Sequence, residues 1–476
     1  MTNLVWIKND LRIHDNRALY SACKNKNKKI IALFMLISKV WKNRKLNIQY
    51  SFLHKRLFFL QQEFLNLNIS FIYRKLKNFK ESIKYLLLIC KKYQITSIFY
   101  NHQYHFNDKK ENTYIKNFFK IHKIKIKILH DNILVNPNLI KNNLGKTYQV
   151  FSFFKKKILN ILKKNKKFSI LKLKVLHKSN VFFKKKKLFL NNQFKEFNVN
   201  KFPYIDNDIL KKIKRFFKKK ILYYEKNKDF PYLNNTSQFS VYFSLGIISI
   251  REFFNHIILY SQKKNMNVSV FLDKILWREF FKHLFFKFSI THKNTFLKNW
   301  EKKIQWSRNY SHFYAWKNGL TGIPIIDAGM RQLNKLGWMH NRLRMITANF
   351  LVKNLLINWR FGAKYFMMHL IDFDYSLNNG NWAWIASVGT DSMPYIRTFN
   401  PYLQSKKFDS QGLFIKKYIP ELKNVPKEYI HNPHIWLNKN KLSKIYPNPI
   451  IDYQKNKNIF IKQIKTILYQ KKYIHE

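Results

Sequence analysis

Short apolar or β-branched runs punctuate the first 130 residues, at 4–7, 29–36, 70–74, 97–101 and 125–129. Between them, segments such as 47–66 and 79–93 place apolar residues at helical spacing. Strands alternating with helices over this length predict a parallel, doubly wound sheet. From about residue 221 the period is helical, as in 250–260, 271–288, 324–336 and 339–357, and few strand-like alternations remain. The pattern predicts an α/β N-terminal domain over 1–130, a connection over 131–220, and a larger all-α domain over 221–476.

The connection is set apart by lysine runs at 155–157, 163–164, 184–187 and 218–220, with 23 basic against 3 acidic residues over 151–220. Such a stretch reads as long, partly flexible and solvated. The α/β region has no glycine before Gly145. That excludes both the GxGxxG fingerprint and the P-loop, each of which needs glycine where backbone meets phosphate. The predicted sheet is therefore Rossmann-like without the glycine fingerprint.

Composition adds a partner class. The 476 residues carry 90 Lys plus Arg against 25 Asp plus Glu, a formal charge of +65, yet 46% are apolar, enough for large cores. So basic a chain suits polyanions such as nucleic acid. Drift toward Lys, Asn, Ile, Phe and Tyr in an AT-rich genome accounts for the same excess. Cys23 and Cys90 form no CxxC, which excludes a disulfide framework and a cysteine zinc site and fits a reducing cytoplasm. No uncharged apolar run has the length to cross a bilayer, and the N-terminus lacks a signal-peptide pattern, so a soluble protein without a membrane partner is expected.

Rare residues mark where the helical domain works. Eight of the ten glycines fall between Gly319 and Gly412, and eight of the eleven tryptophans between Trp277 and Trp384. Over 319–405 there are only 8 basic and 4 acidic residues. In Gly337-Trp338-Met339-His340-Asn341-Arg342-Leu343-Arg344-Met345, helical spacing puts Asn341, Arg344 and Met345 on one face and Arg342 on another. Asp372-Phe373-Asp374 could serve as a metal pair, an acid/base pair or partners for arginine; an Asp372–Arg344 pair is the economical choice, because a buried arginine needs a partner. Thr236-Ser237-Gln238-Phe239-Ser240 offers three hydroxyls that suit a phosphate or cap a helix. In Trp277-Arg278-Glu279-Phe280, on a helix with Lys274, a tryptophan beside an arginine could stack on a base and hold a phosphate.

Together these blocks resemble the DNA photolyase/cryptochrome family, most closely its class I cyclobutane pyrimidine dimer photolyases. The matching pieces run in family order: Asp10-Leu11-Arg12-Ile13-His14-Asp15-Asn16, the Trp277 block, Thr321-Gly322-Ile323-Pro324, Asp327-Ala328-Gly329-Met330-Arg331-Gln332-Leu333, Trp338 to Met345, 372–384, and Phe399-Asn400-Pro401. The resemblance implies a non-covalent FAD that, reduced and excited by light, passes an electron to a pyrimidine dimer flipped out of damaged DNA and recovers it when the dimer has split.

It also implies roles by position. Tyr224 and Thr236, Ser237, Gln238, Phe239 and Ser240 match flavin phosphate and ribose contacts. Phe271, Arg344, Asp372, Phe373 and Asp374 match its ring and adenine surroundings, and Asn378 the residue facing N5. Trp277, Trp384, Asn341 and Met345 match the dimer pocket, joined by Lys274. Lys228, Arg278, Phe281, Arg342, Leu343, Arg344, Arg397 and Gln404 match DNA contacts. Trp382, Trp359 and Trp306 match the chain that reduces the flavin from the surface. Asn107, Asp108 and Lys293 fall where relatives hold a 5,10-methenyltetrahydrofolate antenna, although deazaflavin and antenna-less members exist.

Two positions depart from the pattern: Phe271 replaces a tryptophan, and Lys274 replaces a glutamate that bonds the dimer. A cryptochrome-like receptor, a six-four photolyase and a degenerate basic DNA-binding protein are the competing readings. The expected state is a cytoplasmic monomer with no obligate protein partner.

Overall fold

The structure, a computed structural model, describes all residues except 26, 39–46, 106, 165–166, 175–198, 265–266, 289–298, 392–397 and 473–476. Lysines 184–187, Lys293 and Arg397 therefore lie outside the described residues.

Five strands, β1 (Thr2–Ile7), β2 (Lys29–Ile37), β3 (Ser70–Leu76), β4 (Ile95–Asn101) and β5 (Lys125–Leu129), form one parallel sheet in the order β3-β2-β1-β4-β5. Leu4 pairs with Ile31 on one side and Ile98 on the other. β1 is buried throughout, as a central parallel strand requires. Helix Phe79–Lys92 begins at Asn78, whose side chain accepts from the Glu81 amide, and it buries Ile83, Leu86, Ile89 and Cys90. The strand order reverses direction between β1 and β4, and the carboxyl ends of these strands are where an open α/β sheet offers a binding crevice.

The chain divides into two compact units. The first holds Met1–Ile221, Ser237–Lys293 and Asp374–Ser376; the second holds Leu222–Thr236, Asn294–Phe373 and Leu377–Glu476. Residues 237–293, expected with the helical domain, thus gather with the sheet. A buried polar network explains why. Arg251 pairs with Asp15 at 2.8 Å and Asp131 at 2.9 Å, Arg12 pairs with Asp131 and donates to the Gly246 carbonyl, and Glu279 accepts from the Leu134 amide at 2.7 Å. Gly246 itself has φ +60°, and a Cβ there would lie 2.3 Å from the Asn9 carbonyl oxygen.

The lysine-rich segment is also more ordered than its composition suggests. Phe151–Lys164 is a helix whose Phe154, Ile158 and Leu162 are buried, one stripe at four-residue spacing, while Lys156, Lys157, Lys163 and Lys164 are exposed. Asp206–Arg215 is a second helix and buries Ile209 and Ile213. The second unit is helical, with a core that includes Trp316, Ile326, Leu343, Leu351 and Trp382. The segment expected as one helix over 339–357 is an α-helix at Asn341–Asn349 followed by a π-helical turn at Phe350–Asn354.

Candidate functional site

In the second unit, helix Asn341–Asn349 starts at His340, whose ring nitrogen Nδ1 accepts from the Arg342 amide at 3.2 Å. Its arginines then reach different carboxylates, as the spacing predicts. Arg344 donates to both oxygens of Asp372, at 3.1 and 2.8 Å. Arg342 donates to Asp229 at 2.8 and 3.2 Å, and Lys228 reaches the same carboxylate at 2.9 Å. On the face shared with Arg344, the Asn341 amide contacts the Met345 sulfur at 3.7 Å; Asn341 is exposed and Met345 half-buried.

Helix Tyr375–Ile385 carries Asn378, Trp382 and Trp384. The Asn378 amide nitrogen donates to the Ala363 carbonyl at 3.0 Å, which leaves its oxygen as the acceptor of the side chain. One turn later, Trp382 is buried and meets Phe366 edge to face at 5.0 Å and Trp316 at 6.3 Å. Trp384 is half-buried and donates to the Asp391 carbonyl at 3.1 Å. Trp359 is buried and donates to Glu301 at 3.3 Å, while Arg360 lies over its ring at 4.7 Å and pairs with the same glutamate. The segments bearing Trp306 and Trp359 are tied by a bridge between Ser307 and Ile357. Tyr224 is buried in a short helix, and Gln404 is half-buried on helix Pro401–Phe408.

The first unit holds a further set of the predicted residues. Ser237, Gln238, Phe239 and Ser240 lead into a short helix, with Gln238 at φ +57°. Asp374 pairs with buried Lys282 at 2.8 Å; although burial opposes it, that ammonium holds the Asp374 carboxyl down at about 2. Phe271 packs among Phe216, Phe217 and Phe253. Trp277 is half-buried and stacks on Phe151, ring centroids 3.9 Å apart, while Lys274 on the same helix is exposed.

Three expected DNA contacts need correction. Arg278 is 4% exposed and bonded to Glu279 and to Asn132, so its guanidinium is committed inside the first unit. Phe281 is 3% exposed and packs on Trp277 and Phe280, and Leu343 has no exposure and belongs to the second unit's core. None of these side chains is a surface contact.

At the switch end of the sheet, Asn107 is exposed and precedes helix Asp108–Ile121. Asp108 is buried; it meets His102 Nδ1 at 2.9 Å and accepts from the Gln103 amide at 3.3 Å. Burial opposes its ionisation, yet the His102 bond and the nearby His105 hold its carboxyl at about 2. His102 stacks on His130 at 4.4 Å, and Phe286 meets both rings edge to face.

A sequence profile described as DNA photolyase matches residues 3–171, and one described as FAD binding domain of DNA photolyase matches residues 271–466. A protein of Buchnera aphidicola from Acyrthosiphon pisum, named deoxyribodipyrimidine photo-lyase, is 44% identical over 97% of this chain and 96% of its own length. The protein of that name from Escherichia coli is 35% identical over 95% of this chain and 96% of its own length. The chain belongs to the DNA photolyase family. Its fold agrees with the crystal structure of a bacterial class III photolyase from Agrobacterium tumefaciens, at TM-score 0.81, 26% identity and 98% coverage of both chains.

The family's FAD is consistent with the residues present. Thr236 Oγ1 is buried without a hydrogen-bond partner among the described residues, in the segment expected at the flavin phosphates, where an incoming polar group satisfies it. The Asp372–Arg344 pair and the side-chain oxygen of Asn378, which accepts no hydrogen bond among the described residues, add polar groups of the kind a flavin engages. No described helix is long and apolar enough to cross a membrane.

Motif reading missed Asp229, Glu301 and Trp316. Asp229 follows Lys228 directly and precedes Phe230-Pro231, a weak signal for a carboxylate with a cation to hold. Glu301 carries no local signal, because Trp359 is 58 residues away, and Trp316 meets Trp382 and the Thr347 carbonyl only through the fold.

Proposed function

We propose that this chain splits cyclobutane pyrimidine dimers in DNA, driven by light absorbed by a bound FAD. The observation that carries the reading is the full-length likeness to relatives named deoxyribodipyrimidine photo-lyase. Bound and reduced, FAD supplies the light-absorbing electron donor. The protein's own work is to hold it, admit the dimer and resupply electrons.

Thr236, Arg344, Asp372 and Asn378, all in the second unit, are the residues proposed to hold FAD. The Asn378 oxygen accepts a proton-bearing group without ionising, as a carboxylate there could not. Asn341, Met345 and Trp384 in the second unit are proposed to receive the dimer, which must leave the base stack to be reached. Arg342, Lys228 and Gln404 are proposed to meet phosphates, which position the DNA while the pocket selects the lesion. Trp306, Trp359 and Trp382 are proposed to carry electrons inward.

The antenna reading places 5,10-methenyltetrahydrofolate beside Asn107, Asp108 and Lys293. Exposed Asn107 supports it. Asp108 supports it through His102, since its own carboxylate is already bonded. Cys23 and Cys90 are unpaired thiols, which supports a cytoplasmic setting, and we propose a monomer acting on DNA without an obligate protein partner.

The test mixes reduced, FAD-loaded protein with an oligonucleotide carrying one thymine dimer, in light and in darkness. Dimers should disappear only in light; equal persistence in both ends the reading.

A further inference from the structure

Two cations expected at DNA converge on one carboxylate. Asp229 Oδ1 accepts from Arg342 Nη2 at 2.8 Å and Nε at 3.2 Å, and its Oδ2 accepts from Lys228 Nζ at 2.9 Å. The Lys228 amine donates as well to the Glu225 carbonyl at 3.3 Å. Each of the three side chains is only a fifth to a quarter exposed. Arg342 is fixed from a further side by the buried Phe408 ring, 4.4 Å below its guanidinium carbon, and Phe408 meets Phe230 edge to face.

A carboxylate at a DNA-binding surface cancels positive charge and repels phosphate, so charge alone argues against it. What it supplies is geometry. The guanidinium is a planar fork with two edges that can bind in parallel pairs. Asp229 takes the Nε/Nη2 side, and Arg342 Nη1 has no hydrogen bond among the described residues, so the remaining edge faces one direction only, set by the carboxylate and the ring. Lys228 is likewise held by two acceptors rather than left to sample its rotamers. Side chains ordered before binding do not have to be ordered during it.

We infer that Asp229 is a positioning residue for DNA: it orients Arg342 and Lys228 toward neighbouring phosphates of the damaged strand. The inference rests on the proposed role of those two cations at DNA.

The test is dark binding of a duplex carrying one thymine dimer, across a salt series, by FAD-loaded parent, Asp229→Asn, Arg342→Ala and the double variant. Positioning predicts that Asp229→Asn binds about tenfold more weakly despite its added positive charge, with a salt slope shallower by about one, the signature of a lost phosphate contact. It also predicts that Asp229→Asn costs less once Arg342 is alanine, because only the share carried through Lys228 remains. Affinity that stays level or rises, with a steeper slope, overturns the inference, because it makes Asp229 a mere electrostatic brake. Unchanged affinity in Arg342→Ala overturns the reading of Arg342 beneath it. Should Asp229→Asn fail to fold, Asp229→Glu keeps the charge and moves it by one methylene; parental affinity in that variant overturns the inference too.

Discussion

Arg344 donates through Nη2 to both oxygens of Asp372 while its Nε donates to the Met339 carbonyl at 2.8 Å. The Asp372 side chain is 1% exposed and that of Arg344 25%, so the carboxylate depends on the arginine far more than the reverse. Asp372→Asn leaves Arg344 able to reach water, so the loss is smaller than for a pair sealed on both sides. The expected cost is about 1–3 kcal/mol of stability in the second unit, together with faster FAD loss on dilution. Urea midpoints and FAD release, followed by fluorescence, measure the two effects; an unchanged midpoint contradicts the first.

Gly362 is where the helix Trp359–His369 meets Trp382. A Cβ at this position would lie 2.2 Å from the Trp382 ring and 2.6 Å from Leu351 Cδ2, closer than side chains tolerate. Gly362→Ala therefore overpacks the core, at about 1–3 kcal/mol, and displaces the indole proposed to reduce the flavin. Illuminated protein with oxidised FAD should gain reduced flavin more slowly than the parent, while protein reduced chemically beforehand keeps most of its repair. Equal photoreduction rates would show that Trp382 has not moved or does not take part.

The same residues show what a sequence can disclose. All five strand runs lie where they were expected because a short apolar run is a local signal, and so is the helical period, although a π-helical turn interrupts 339–357. Asp372–Arg344 was legible as a pair, but its buried member is the carboxylate and not the arginine. The helix at 151–164 was hidden by lysines that outnumber its three-residue apolar stripe. Arg278 was misplaced outward because its partner Asn132 is 146 residues away, and burial by a distant segment leaves no mark on the local pattern. Asp229 and Arg342, 113 residues apart, were invisible as a pair for the same reason.

Lys274 stands exposed on helix Ser269–Phe288, at the position where the resemblance leads one to expect a glutamate. A lysine can donate to a carbonyl but attracts every phosphate alike. Lys274→Glu should raise the yield of dimers split per photon absorbed and lower affinity for undamaged duplex, most clearly at low salt. The first is read from repair against absorbed light, the second from a salt series; a variant with unchanged yield shows that the departure is neutral for chemistry.

His340 makes the cap of helix Asn341–Asn349 sensitive to pH. Burial pushes its imidazolium down to about 4 from an ordinary value near 6.5, and its Nδ1 must stay unprotonated to accept from the Arg342 amide. Between those two values the unfolded chain takes up a proton at this histidine and the folded chain does not. Stability is therefore full above about 6.5 and falls as pH drops toward 4, by up to about 1.4 kcal/mol per pH unit. His54, His130 and His283 are also pushed down by burial, to about 4, 4 and 3, and act in the same direction. The informative quantity is thus the difference between variant and parent. His340→Asn keeps a side-chain acceptor at the cap and removes the titration, so its stability between pH 6 and 5 should fall less steeply, by about one kcal/mol per unit. Parallel curves from urea unfolding at several pH values would show that His340 takes up its proton equally in both states.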